Sequence, residues 1–202
     1  MERAATDRPN KNVARGEATR AQLIAIATRM FADHGYEETS IEAVLREAGV
    51  SRGSLYHHFA SKEALFEAVA EAVEDSVGSQ TMAAADGITE PLDALRAGFL
   101  AWIRLAGDPV VRRILLIDAP SVLGWERWRA MEEDHALGLI RLVLQAIAEQ
   151  GRLRPDLVDA LAHVLLASVN EVALLVARSD DRDAAMESGA DAVDELLRRL
   201  FS

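Results

Sequence analysis

Cysteine is absent from all 202 residues, which excludes disulfides, thiol catalysis and thiolate metal sites together. Aromatic residues make up only 5% and prolines number five, so little interrupts helix formation. The greasiest stretch, residues 157–177, is broken by His163, Asn170 and Glu171, and reads as a buried helix of a soluble domain. Residues 1–15 have no apolar run and do not resemble a secretory leader, so a cytoplasmic location is expected. Alternating strand patterns, repeats and low-complexity tracts are also missing. The hydrophobic period is helical throughout, and the fold class is all-α. There is no Gly-x-Ser-x-Gly elbow, no phosphate-cradling glycine loop and no His-x-x-x-His spacing, so neither an enzyme nor a cofactor is expected.

Half of the chain is hydrophobic, enough for a sizeable core. The net charge is −11 and is unevenly spread: residues 1–62 hold nine Lys/Arg against eight Asp/Glu, a balance of +1, and the rest carries −12. Charge at a contact face, rather than the total, governs phosphate binding. The overall acidity is therefore compatible with a nucleic-acid reader, but it predicts modest, strongly salt-sensitive non-specific affinity.

Residues 39–66 are the most informative. Thr39 and Glu42 have capping-box spacing, which predicts a helix from Ser40. Ile41, Val44, Leu45 and Ala48 share one face of it, and Gly49 suits the left-handed position that ends a helix. Val50 can plug the core under the turn, and Ser51 is a good N-cap for a second short helix. Leu55 and Phe59 anchor that helix inward, while His58 leans back toward them. Arg52, Gly53, Ser54, Tyr56 and His57 form its outer face. Donors and an aromatic around a residue with no side chain suit contacts to phosphates and base edges. Tyr56 as a plain core aromatic is the competing assignment. A metal site at His57–His58 is disfavoured, because helix neighbours diverge by about 100° and no Cys or carboxylate lies at ligand spacing.

This series resembles the N-terminal DNA-binding domain of the TetR (tetracycline-repressor) family of bacterial transcription regulators. The resemblance runs from about Arg20 to Phe66 through Met30-Phe31-Ala32-Asp33-His34-Gly35-Tyr36, Thr39-Ser40-Ile41, Ala48-Gly49-Val50-Ser51, Gly53-Ser54-Leu55-Tyr56-His57-His58-Phe59 and Ser61-Lys62-Glu63-Ala64-Leu65-Phe66. Val44-Leu45 departs from the smaller residue usual there, which touches inner packing. The resemblance implies a recognition helix from Ser51. By position it implies phosphate contacts from Thr39, Ser51, Tyr56, His57 and Lys62, and base contacts from Arg52 and Ser54. It also implies repression, a dimer joined through the last two long helices, and a small-molecule effector that shifts the spacing of two DNA-reading heads.

The expected layout is a disordered arm at 1–15, a helix-turn-helix domain at 16–66, and a ligand-binding and dimerisation domain at 67–202. A minor-groove role for the arm is a further option. The first helix is expected from about Glu17 to His34, closed by Gly35. The helix after Phe66 is expected to fray near Gly78, with 79–89 as a connector. Helices then follow at about Pro91–Ala106, after Asp108-Pro109, at Trp125–Glu149, from Pro155 to Arg178, and from Asp183 to Leu200. The Pro155 helix is apolar nearly all round and must be covered on both sides. The last helix gathers Ala192, Val193, Leu196, Leu197 and Leu200. Together they suggest a four-helix interface with a second copy.

Candidate effector contacts are Phe99, Trp102, Trp125, Trp128, Met131, His135, Asn170 and Glu171, since pockets are mostly apolar with a few placed polar groups. Each aromatic also fits a plain core role, and His135 and His163 fit hydrogen-bonded structural roles. Glu171 suits either a cationic ligand or an arginine across a dimer. Two other functions compete with a ligand-responsive dimeric regulator of a near-palindromic operator. One is a helical carrier or enzyme with a non-reading cap, and the other is an architectural DNA binder without a ligand.

Overall fold

The computed structural model describes residues 11–201, the first two in backbone only. Residues 1–10 of the expected arm lie outside the described residues. Lys11–Arg15 are helical, so the first helix starts earlier than composition suggests. All described elements are helical, and the chain divides into two compact units between Val69 and Ala70.

The first unit holds α1 (Lys11–Glu38), α2 (Ile41–Ala48), α3 (Arg52–His58) and the start of α4 (Lys62–Ala85). Leu23, Ala27 and Phe31 recur at four-residue intervals on α1 and are fully buried. Gly35 breaks α1 at φ 81°, ψ 169°, a region closed to side chains with a Cβ. The break folds Tyr36 back onto Phe31 (ring centroids 5.8 Å apart) and against Phe66 (5.1 Å), while Phe31 and Phe66 meet edge to face at 5.2 Å. This aromatic cluster seats α4 on α1.

The second unit holds the rest of α4, α5 (Pro91–Leu105), α6 (109–122), α7 (125–149), α8 (Val158–Arg178, entered through a 3₁₀ turn at Pro155–Leu157) and α9 (Arg182–Leu200). Helix α4 runs seven residues past Gly78, contrary to the fraying expected there. Residues 79–85 include Met82 and three alanines, all strong helix formers, and the helix stops only before Gly87, at φ 73°. Two stretches, Arg112–Asp118 in α6 and Glu133–Leu137 in α7, widen to π geometry. Ile103, Ile114, Leu115, Leu144, Ile147 and Leu165 fill the core. Arg96 clamps α5 to α9 through two bonds to Asp194, at 2.6 and 2.5 Å. Helix α8 is long and apolar enough to cross a membrane, with a mean hydropathy of 1.9. In this fold Val158, Ala162, Leu165, Leu166, Val169, Ala173 and Val176 bury one side of it in the unit's core.

Candidate nucleic-acid interface and effector cavity

Helix α3 has only seven residues, so its orientation depends on what pins it. Ser51 caps it, its hydroxyl accepting from the Ser54 amide at 3.2 Å. Leu55 and Phe59 are buried beneath it, and the Arg20 guanidinium lies 5.3 Å from the Phe59 ring centroid. Gly49, left-handed at φ 64°, turns the chain from α2 into α3. Gln22 of α1 donates to the carbonyl of Ala48 at 3.2 Å and ties that turn down. Val50 is half-buried under it.

With that face locked, Ser51, Arg52, Gly53, Tyr56 and His57 are exposed, and Ser54 is half-buried. The Arg52 guanidinium lies 5.5 Å from the Tyr56 ring centroid and 3.1 Å from Glu42. Both ionic partners are exposed and screened by solvent, so this pair is weak and does not hold Arg52 back from a stronger partner. At Gly53 an added Cβ would meet nothing closer than the Ser51 hydroxyl at 3.9 Å. No close neighbour within the fold therefore calls for a glycine there. Lys62 sits in the first turn of α4, which Ser61 caps by accepting from the Ala64 amide at 3.0 Å. Its ammonium lies 4.1 Å from the Tyr36 ring centroid and donates to the Glu37 carbonyl at 3.4 Å.

Thr39 departs from expectation. It is buried, and its hydroxyl has the carbonyls of Gly35 at 2.8 Å and Met30 at 3.2 Å as acceptors for its one proton, the nearer being Gly35. The N-cap of α2 is Ser40, whose hydroxyl accepts from the Ala43 amide at 3.1 Å. The threonine hydroxyl is directed at the carbonyls left open where Gly35 breaks α1 rather than outward. Its role is to hold the α1–α2 corner.

The second unit contains a cavity of about 310 Å³ between α4, α5, α7 and α8. Of the sequence candidates, Phe99, Trp102, His135 and Asn170 line it. The Trp102 indole donates to Asn170 Oδ1 at 3.0 Å. The other four lie elsewhere. Trp128 and Met131 are buried in packing outside the cavity lining, Trp125 is exposed and packs on Trp128 at 4.8 Å between centroids, and Glu171 faces solvent. Helical period gives the angle between two residues on a rod, but not which side of the rod its neighbours occupy.

Among the lining residues that sequence reasoning missed are two buried acids, Glu74 of α4 and Glu132 of α7. Burial raises the Glu74 carboxyl to about 7; the His135 charge opposes this and Asp75 adds to it. Burial likewise raises Glu132 to about 8, reinforced by Glu74 and Glu133 and opposed by Arg129 and Asn170. His135 Nδ1 lies 2.8 Å from the Met131 carbonyl, and Nε2 lies 3.2 Å from Asp75. Both partners are acceptors, so the doubly protonated ring satisfies both contacts. The balance on this histidine is upward, its burial being outweighed by the Met131 bond and the Glu74 and Asp75 charges. His163 accepts from Arg141 at 3.4 Å. The one clue to the two acids is that each interrupts an apolar stripe, Glu74 between Ala70 and Val77 and Glu132 a turn after Trp128.

Comparison with known proteins places both units. Residues 23–69 match the family described as "Bacterial regulatory proteins, tetR family", and residues 92–200 match "Tetracyclin repressor-like, C-terminal domain". The transcriptional repressor AcnR of Corynebacterium diphtheriae is 28% identical over 179 residues, 89% of this chain and 91% of that protein. A TetR-family regulator from Pectobacterium atrosepticum is 30% identical, with a TM-score of 0.82 over 93% of this chain and 96% of its own. A SmeT–triclosan complex is 26% identical, with a TM-score of 0.69 over 90% and 91%.

Proposed function

This chain belongs to the TetR family of ligand-responsive, DNA-binding and non-catalytic transcription regulators, and on that premise we propose that it represses transcription by docking α3 of each of two copies into successive major grooves. The observation that carries this reading is the division of α3, with Leu55 and Phe59 locked inside and Arg52, Gly53, Tyr56 and His57 facing out. Arg52 and Ser54 read bases. Ser51, Tyr56, His57 and Lys62 hold phosphates, Lys62 adding its charge to the amides at the start of α4. Gly53 lets the backbone approach the duplex.

The dimer forms through α8 and α9. Val164 and Leu175 of α8 are 52% and 60% exposed, and Leu200 of α9 is 39% exposed. Ala192 is exposed beside the half-buried Leu196. A second copy laid against these positions would cover them. Glu171 stands on the same exposed side as Leu175, where an arginine of the partner copy suits it better than a cavity ligand.

The effector fills the cavity of the second unit, in keeping with the small molecule carried by SmeT. Its influence reaches the DNA as a population shift, because a ligand favours whichever conformer it binds better. Helix α4 supplies Lys62 to the reading surface and Glu74 to the cavity wall, and is the lever.

The test is a gel-shift with duplex from upstream of the chain's own coding region, titrated with salt. Arg52→Ala is expected to cost about 1–3 kcal/mol on the preferred site and to relax its sequence preference. Lys62→Ala should weaken all sequences alike and reduce the salt slope by about one. Indifference of both variants would remove α3 from the interface.

A further inference from the structure

We propose that the cavity receives an organic cation with an apolar or aromatic body, its charge set against Glu74 and Glu132. This rests on the cavity being the effector site, and names the class of effector.

The wall is chemically one-sided. Its ionisable lining groups are Glu74, Asp86, Glu132 and His135, with neither lysine nor arginine among the described lining residues. Around the two buried acids stand Glu74 and Asp75 from α4, and Arg129, Glu132, Glu133 and His135 from α7, with the neutral Asn170 from α8. Arg129 is shared between Glu132 (3.5 Å) and Glu133 (3.3 Å). His135 is engaged by Asp75 at 3.2 Å. Of the acids that line the cavity, Glu74, only 6% exposed, makes no hydrogen bond or ion pair among the described residues, and the opposite charge that acts on it is that of His135. An unpaired buried carboxylate is costly, and a positive guest supplies its missing partner. Asn170 Nδ2 makes no hydrogen bond of good geometry, although it lies close enough to Glu132 to lower that carboxyl.

The rest of the wall says what else the guest carries. Phe99 and Trp102 offer aromatic faces, to which cations and flat rings are both attracted. Val77, Leu139 and Val169 supply apolar surface. A hydrated metal ion does not fit this wall, and no group of three or more His, Cys, Asp or Glu among the described residues could ligate one. An anionic guest would lie beside three acids with no lysine or arginine to meet it.

Protons connect the charge to the guest. Burial holds Glu74 at about 7 and Glu132 at about 8, so near neutral pH the empty site retains protons in place of counter-ions. A cation favours the ionised acids and also disfavours a charged His135, so it expels protons from both. Its affinity therefore rises with pH across roughly 6 to 8.

The matched probes are 4-butylbenzylammonium and the neutral 4-butylbenzyl alcohol, titrated calorimetrically into the full chain at pH 6 and pH 8 in two buffers of different ionisation heat. The ammonium should bind about tenfold or more tightly than the alcohol at pH 8, release protons to the buffer, and lose much of that advantage at pH 6. Glu74→Gln should abolish the preference, with circular dichroism and thermal unfolding confirming the fold. Glu132→Gln is the second variant, should the first fail to fold. Equal affinity for the alcohol, a preference that survives both substitutions, or no binding of the ammonium would overturn the assignment. If the ammonium fails while a neutral or anionic compound releases operator DNA, the cation class falls and the regulator stands. If the ammonium binds but no duplex is selected at any salt, the regulator falls and the cation site stands.

Discussion

At Gly53 a single substitution can separate stability from the proposed function. The fold leaves room for a methyl group there, at 3.9 Å from its nearest neighbour, and alanine in a helix is favoured over glycine by up to about 1 kcal/mol. Gly53→Ala should therefore unfold at the same or slightly higher temperature while its operator affinity drops severalfold; unchanged binding would mean the backbone does not approach the duplex. The buried acids make a second prediction. Glu74 and Glu132 hold protons more tightly folded than unfolded, their values rising from 4.5 to about 7 and about 8. Folding takes up protons between those limits, so stability falls as pH rises from about 5 to 8. His135, also raised, has the same sign, since its contribution is lost as pH rises through its folded value. The thermal midpoint should decline across this window by roughly 2–4 °C per kcal/mol. Glu74→Gln should flatten the decline, and a rise of the wild-type midpoint with pH would contradict the burial argument. At this scale the α3 face was legible from the sequence because caps, a left-handed glycine and two large apolar anchors fix its rotation. The two acids were fainter: Glu74 interrupts the stripe from Ala70 to Val77 but stands between Glu71 and Asp75, and the packing of α7 against α4 is what sets it apart from a solvated face.

Between elements, Gly189 governs how closely α9 approaches α8. A Cβ there would fall 2.6 Å from Val172 Cγ1, too close without movement, and the β-branched valine has little rotamer freedom on a helix. Gly189→Ala is expected to destabilise by about 1–3 kcal/mol despite its better helix propensity. Adding Val172→Ala should recover part of that loss, a coupling that chemical denaturation of the four chains in the cycle would detect. Strict additivity would place the strain elsewhere. Element order and most boundaries were readable because Pro91, Pro109, Pro155 and Gly151 mark starts and stops. Gly78 misled because a lone glycine weakens a helix without ending it when alanines follow. The π stretch at Glu133–Leu137 has no proline or glycine within it, and nothing in its residues announces it.

For the whole molecule, the exposed leucines and valines of α8 and α9 are the feature an isolated chain does not explain. Val164→Glu combined with Leu175→Glu should yield monomers by sedimentation equilibrium with the fold intact, and should weaken operator binding by orders of magnitude as two-headed contact is lost. A double variant that stays dimeric would move the interface off α8. The acidic balance of −12 beyond residue 62 should keep non-specific DNA affinity low and leave selectivity to the contacts proposed for α3. Selection of bound sites from a randomised duplex pool tests this account most directly. It predicts a near-palindrome whose half-sites lie about 10 base pairs, or a multiple of that, apart, enriched by the wild type and blurred by Arg52→Ala. Enrichment of no motif, or of an asymmetric one that Arg52→Ala leaves intact, would contradict it.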